Sequence, residues 1–369
     1  MMEFLQTVIT VVLFFAILGG LVLVHELGHF VTARMANIRV LEFGIGFPPR
    51  AKVLRSGGET LYTLNWLPIG GFVKLEGEDG DDTSDPRSFV NARLPVKLVI
   101  LIAGVFMNLV TAFLIFLLIA WIATPLVGVR IGEVQPDSPA AAAGLQAGEA
   151  ILAVDGQTFD FYGEGDVISA VRAKAGQTVV LTVERLDGSR ADMPANLRPP
   201  EELNAERGAL GIGAGPDGWE SRFFGPSQVR DLPSAVGLAA RDTGRWFGLI
   251  LAGLGDLVGS VASDPGAAPP VAGPIGIAQS LGEIFWGSGP IMTLYVAGIL
   301  SANLALVNAL PFPPLDGGRI LMILLKKVFG TRISVRAERL TYFVGFIVLF
   351  TFLIWITGFD IQRGLEGTR

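Results

Sequence analysis

The chain has 369 residues, 51% hydrophobic and 17% charged, with no cysteine, two histidines and a formal net charge of −6. An ordinary globular protein carries roughly 25% charged residues, so a chain built only of soluble domains is disfavoured. The missing cysteine excludes disulfides and thiolate metal ligands, and no basic cluster interleaved with aromatics points to nucleic acid.

The apolar residues collect into runs free of Asp, Glu, Lys and Arg: Phe4 to Val24, Leu98 to Ala123, Ile291 to Leu310 and Leu340 to Thr357. A bilayer core takes roughly 17–25 helical residues to cross, and without water each run must satisfy its own backbone as a helix. The expected fold is a polytopic α-helical membrane protein of about four transmembrane helices, with an inserted soluble β-rich domain and a membrane-associated β-hairpin. The first run could instead be a cleaved signal peptide, but no small-x-small site stands closely after it. The run leads directly into His25-Glu26-Leu27-Gly28-His29, so residues 1–37 read as a first transmembrane helix that closes on this motif.

Residues 38–93 read as a polar region with strand character. Ser56-Gly57-Gly58 is a turn between two extended stretches. Thr60 to Trp66 alternates partly with period two, Pro68 ends it, and Gly70-Gly71-Phe72-Val73-Lys74-Leu75 resumes an extended pattern. Glu76 to Asp85 reads as a solvated acidic loop. Residues 94–125 hold the second transmembrane helix.

Residues 126–199 read as a small β-rich domain. Ile131 to Val134 is a strand, Ser138 to Leu145 a short helix stopped by Gly144, Ala147 to Gly156 a turn, a strand and a tight turn, and Gln177 to Glu184 a late strand. This order, with its Ala-Gly-Leu, Gly-Glu, Ile-Leu and Val-Asp-Gly run, resembles a PDZ domain; another small β-rich domain is the alternative. Within 200–289, residues 200–233 read as a Gly/Pro-rich linker. Ser234 to Val261 reads as an amphipathic helix carrying Arg241, Asp242, Arg245 and Asp256. It is expected to lie on the membrane surface, although Phe247 to Leu254 could belong to a fifth crossing. Residues 290–318 are the third transmembrane helix and its sequel, and 319–369 a basic loop with the fourth. Arg319, Lys326, Lys327, Arg332, Arg336 and Arg339 outweigh Asp316 and Glu338 there, which places that loop in the cytoplasm. Residues 38–93 then share its side, and 126–289 lie outside.

On a helix, residues i and i+4 share a face, so both imidazoles of His25 and His29 can reach one metal. Glu26 is a step round the helix, in reach of a water activated by that metal. Zinc would lower the water's pKa and polarise a carbonyl, and Glu26 would take the proton and return it to the leaving amine. These are the chain's only two histidines; at random they would stand four apart in about one case in 190. The bland alternative is a pair of histidines at headgroup level. A catalytic zinc takes three protein ligands and leaves one position open. With no third histidine and no cysteine, the remaining ligand must be Asp or Glu. Asp316 is the outstanding candidate, since Pro311, Pro313 and Pro314 break the helix before it and Gly317-Gly318 permits a close turn after it.

His25-Glu26-Leu27-Gly28-His29 at the end of an apolar helix, with Asn308-x-x-Pro311-x-Pro313-x-Leu315-Asp316-Gly317-Gly318 far downstream, resembles the site-2 protease family. The PDZ-like module between them points to the branch of the bacterial regulator of sigma-E proteases, and the resemblance covers nearly the whole chain. Gly104 to Asn108 is similar to that family's Gly-x-x-x-Asn motif, without the Pro often found after the Gly. Gly273 to Ile277 is similar to a Gly-Pro-Ile element, and Leu67 to Lys74 to a membrane-re-entrant β-loop. Only one PDZ-like module fits, so gating by two is not expected. The resemblance implies zinc ligation by His25, His29 and Asp316 and general base/acid work by Glu26. It implies substrate contact by Asn308, although a polar side chain in an apolar helix is otherwise often helix–helix glue. A membrane-helix substrate must unwind locally, and the extended 60–75 region, next in sequence to the motif helix, is the candidate to pair with it by β-addition, with Gly70, Gly71 and Phe72 as substrate-contacting residues. The resemblance further implies a multi-pass protein of the bacterial inner membrane, in contact with lipid, whose PDZ domain is extracytoplasmic and able to take a peptide ligand. The implied substrates are transmembrane proteins such as anti-sigma factors already shortened by another protease, or remnant signal peptides. A non-catalytic scaffold that binds partner tails through the PDZ domain is the alternative; intact His25, Glu26, His29 and Asp316 argue against it. A transporter would call for repeated halves and paired broken helices, and the sequence has neither.

Overall fold

Three elements build the N-terminal part of the chain: α1 (Met2–Met35), which keeps going as a helix through His25 and His29, and β1 (Val40–Arg55) with β2 (Leu61–Leu75), which fold back beside it. The computed structural model describes residues 2–366 apart from 79–84, 164, 205–206, 217, 265–267 and 331–333. The acidic loop expected at 76–85 therefore lies partly outside the described residues. Its described part is not simply solvated, because the Glu78 carboxylate pairs with Arg319. The chain divides into two units, Met1–Phe116 with Ala239–Arg369, and Leu117–Leu238.

In the first unit, Gly57 takes a positive φ of 96° at the turn between β1 and β2, as the Ser-Gly-Gly sequence requires. Residues 42–45 of β1 are flanked on both sides. They face 71–74 in antiparallel register (Glu42↔Lys74, Ile45↔Gly71) and also 61–64 (Glu42↔Leu61, Ile45↔Leu64). Residues 50–55 then pair with the far side of that stretch, from Arg50↔Asn65 to Arg55↔Tyr62. The 71–75 end of β2 is left as an edge, with no strand on its other side among the described residues.

α2 (Leu94–Ile122) leads into the second unit. This contains β3 (Thr124–Arg130), β4 (Glu133–Val134), α3 (Pro139–Ala142), β5 (Ala150–Val154), β6 (Gln157–Thr158), α4 (Val167–Ala173), β7 (Thr178–Glu184), β8 (Arg190–Asn196), β9 (Ile212–Gly213) and β10 (Glu220–Gln228). The sheet order is β10-β3-β5-β7-β8, with β6 on β5. Its core holds Ile131, Ile151, Leu181, Val183 and Leu210, all essentially inaccessible; each such side chain contributes about 1.5–3 kcal/mol by burial. The short helix α3 starts where Ser138 Oγ accepts the Ala141 N–H at 3.1 Å, and Gly144 ends it at φ 75°. Residues 200–233 are not a linker. β9 pairs with β4, and β10 pairs with β3 from Glu220↔Arg130 to Phe224↔Leu126. The Gly225-Pro226 step that interrupts this pairing, with a register shift before Gln228, is what makes the strand look like loop in the sequence.

The chain re-enters the first unit through α5 (Leu232–Ser263), followed by α6 (Pro274–Ser288), α7 (Pro290–Ala309), α8 (Asp316–Phe329) and α9 (Val335–Glu366). Among the described residues, five helices are long and apolar enough to cross a bilayer, by length and composition: those at Phe4–Met35, Leu94–Ile122, Leu232–Ser263, Pro290–Ala309 and Val335–Leu365. The first stretch of the basic loop expected after residue 318 is instead helical. α8 turns Ile320 and Ile323 into a buried cluster with Ala33, Val40, Leu75 and Ile100 and ends in Lys326-Lys327, a spacing suited to a helix. α6 begins at Pro274, and buried Asp360 of α9 accepts its first free amides, Gly273 N–H at 3.1 Å and Gly276 N–H at 2.8 Å.

Candidate metal centre

The site forms where α1 crosses α2, and two glycines allow the crossing. A Cβ on Gly28 would stand 2.5 Å from the Ala103 carbonyl oxygen. A Cβ on Gly104 would stand 2.4 Å from His29 Nε2 and 2.7 Å from His25 Nε2. The two imidazoles occupy the room that Gly104 leaves. His29 Nδ1 lies 2.7 Å from the Ile100 carbonyl oxygen, and His25 Nδ1 lies 3.4 Å from the Asn108 side-chain amide. Ile100, Gly104 and Asn108 are successive turns of one α2 face, so a single helix holds, clears and orients both rings.

The third residue arrives from α8. Gly317 and Gly318 let this helix fold back on the end of α7, because a Cβ on Gly317 would sit 2.2 Å from the Ala309 carbonyl oxygen and one on Gly318 2.6 Å from Phe312. Asp316 is therefore aimed at α1. Its Oδ2 lies 3.0 Å from His25 Nε2 and 3.2 Å from His29 Nε2, and the two Nε2 atoms are 3.1 Å apart. These three residues are the group of potential metal ligands found among the described residues.

The donor set fits zinc. Three ligand atoms about 2.0–2.1 Å from a tetrahedral ion stand about 3.3–3.4 Å apart, a few tenths of an ångström from the observed triangle. Asp316 Oδ2 is buried with no hydrogen-bond donor of its own; an orphaned carboxylate oxygen of that kind is costly unless a cation takes it. Ligation through Nε2 leaves the hydrogen on Nδ1 of each ring. For His29 the Ile100 carbonyl accepts it. For His25 the amide of Asn108, turned to present Oδ1, is the acceptor at hand.

The triad opens into a cavity of about 640 Å³ whose lining includes Glu26, Gly70, Gly71, Phe72, Asn108, Asn308 and Asp316. All the residues singled out from the sequence thus share one cavity. The edge segment 71–75 of β2 lines it as well. Gly70, at φ 76°, and Gly71 let that edge lie against α1, for a Cβ on Gly70 would stand 2.9 Å from Val22 Cγ1. Sequence reasoning did not assign a role to Asn108, which it saw only as part of a motif, nor to Gly104 and the Ile100 carbonyl. The available signal was the four-residue spacing of 100, 104 and 108. Ser301 Oγ also donates to the Asn108 carbonyl at 2.7 Å, fastening α7 to the same turn of α2.

Comparison with known proteins agrees with this geometry. Residues 13–352 match peptidase family M50. The chain is 26% identical to zinc metalloprotease RasP of Geobacillus kaustophilus over 98% of its own length and 99% of the relative's. It is 30% identical to a provisionally named zinc metalloprotease of Clostridium perfringens, over 94% of this chain and 97% of the relative. It is 31% identical to another from Nostoc sp., over 90% and 91%. With its several membrane-length helices, the chain belongs to peptidase family M50, the site-2 protease family, and is a multi-pass zinc metalloprotease.

Proposed function

We propose that this chain is an intramembrane protease that hydrolyses peptide bonds within transmembrane segments of membrane proteins. The observation that carries the reading is that His25, His29 and Asp316 converge inside a cavity lined by the unpaired edge of β2, with the histidines on a membrane-length helix. A helical peptide bond is shielded, so the substrate must unwind locally. The free edge at 71–75 offers the opened segment backbone partners by β-addition, and Gly70 and Gly71 keep that edge close to Glu26. Asn308, at the cavity wall, would hold the substrate backbone beside it.

His25 Nε2, His29 Nε2 and Asp316 Oδ2 would hold the zinc. When bound, zinc supplies Lewis acidity that lowers the pKa of water and polarises a carbonyl. Glu26 takes the proton from the attacking water on its carboxylate and returns it to the leaving amine nitrogen. Ile100 and Asn108 keep the two imidazoles in the tautomer and orientation this needs.

The 126–199 region, extended by β10, serves as a PDZ-like module on the extracytoplasmic side of a bacterial inner membrane, taking a peptide tail or excluding bulky ectodomains. Anti-sigma factors already shortened by another protease, or remnant signal peptides, are the substrates this arrangement suits. α5 lies along the membrane surface. Its Asp242 accepts from Tyr295 near the start of α7 at 3.0 Å. The Arg363 guanidinium near the end of α9 donates to the Pro269 carbonyl, and Pro313 beyond α7 packs on Gly345 early in α9, so α7 starts where α9 ends. Ser263 and Pro269 are six residue steps apart in sequence, which can bridge at most roughly 20 Å, against a bilayer core of roughly 30 Å.

The test is reconstitution of the zinc-loaded chain in lipid vesicles with a single-span substrate, and mass analysis of the products. Cleavage inside the apolar segment is expected; cleavage only in flanking soluble sequence would overturn the reading.

A further inference from the structure

Glu78 stands three residues beyond the edge strand and touches two elements of the site at once. Its Oε2 accepts the Leu75 N–H at 3.1 Å, at the end of β2, and its Oε1 takes the guanidinium of Arg319. Arg319 is three residues after Asp316 on α8, one turn on. The Glu78 side chain is 15% exposed and that of Arg319 38%, and both line the catalytic cavity. They also line a second cavity of about 470 Å³, bounded by Phe89, Ile323 and Tyr342, so the pair forms the wall between the two. Losing Arg319 would leave the largely buried Glu78 carboxylate without its counter-charge.

We propose that the Glu78–Arg319 pair is a positioning clamp: it fixes the edge strand 71–75 against the helix that carries Asp316, and so sets which peptide bond of a bound strand lies at Glu26. The inference rests on the intramembrane reading above. A strand advances about 3.3 Å per residue and presents the same face every second residue. An edge freed from α8 therefore lets a substrate settle two residues out of place, and a misplacement of about 1 Å already costs up to roughly 100-fold in rate.

The experiment uses the full chain in lipid vesicles with a single-span substrate cut at one bond by wild type. Glu78→Gln keeps the acceptor for Leu75 and removes the charge; Arg319→Met removes the donor, and Arg319→Lys keeps the charge. Zinc per chain, kcat, KM and the masses of both products are read. The clamp predicts zinc unchanged, kcat lowered roughly 10–100-fold, and cleavage spread to bonds two residues away, with Arg319→Lys closer to wild type than Arg319→Met. Glu78→Gln and Arg319→Met cutting the wild-type bond with wild-type kcat would overturn it. So would loss of zinc in these variants, since the pair would then serve the metal site and not the register. A wild-type chain that never cuts inside the apolar segment overturns both the clamp and the reading beneath it, whereas wild-type cleavage at one bond with unchanged variants overturns the clamp alone.

Discussion

Replacing Gly104 by alanine sets two effects of opposite sign against each other. In a helix interior alanine is favoured over glycine by up to about 1 kcal/mol, so the change should not harm α2 itself. The added Cβ, however, would lie 2.4 Å from His29 Nε2 and 2.7 Å from His25 Nε2, where unstrained contacts stand about 3.5–4.0 Å apart. About 1 Å must be recovered. His29 cannot simply retreat, because its Nδ1 is held 2.7 Å from the Ile100 carbonyl. Zinc sites tolerate only about 0.2 Å of error in ligand distance, so metal affinity should fall by at least about 100-fold, or about 2.7 kcal/mol. Gly20→Ala, whose Cβ meets nothing within 4 Å, is the control. The assay is zinc retained per chain against a graded chelator, with thermal unfolding of the zinc-free protein alongside. Wild-type zinc affinity in Gly104→Ala would refute the packing of α2 against the imidazoles on which the site description depends.

Asp316→Asn should lower zinc affinity and proteolysis together, because the charge is lost and the shape kept, while the exposed Glu201→Gln should leave both unchanged; elemental analysis with a cleavage assay decides. Asn108→Leu removes the acceptor facing His25 Nδ1 and should weaken zinc binding roughly 10–100-fold, measured by the same chelator competition. The chain has no cysteine, so single cysteines report topology cleanly. Asp187→Cys and Ser263→Cys should react with an impermeant reagent from outside intact cells and Lys327→Cys only after the membrane is opened; protection of position 263 would mean that α5 crosses.

The candidate metal-binding residues were legible because the chemistry leaves few choices. Two histidines four apart fix one face of a helix, and the absence of cysteine and of a third histidine narrows the remaining ligand to a carboxylate. The prolines and glycines around Asp316 announce a chain reversal, and Gly317 is indeed in a position where a Cβ would be 2.2 Å from the Ala309 carbonyl oxygen. β10 was hidden because Gly225-Pro226 breaks its pattern and its partner β3 lies about 90 residues away, too far for any local periodicity to reveal. α8 was hidden because its start coincides with the Asp-Gly-Gly turn and its basic end reads as loop. Asn108 and Glu78 carry no local signal of what they touch. Their partners, His25 and Arg319, lie 83 and 241 residues away, and only the packing of helices and strand brings them together.

The role of Glu26 in proton transfer is tested by the Glu26→Gln variant reconstituted in lipid vesicles with a single-span substrate. Wild-type zinc content is expected, because Glu26 is outside the group of candidate ligands, together with loss of cleavage by several orders of magnitude and uncut substrate remaining bound. Near-normal turnover at full zinc content would contradict that role, since the proton transfers would then belong to another group.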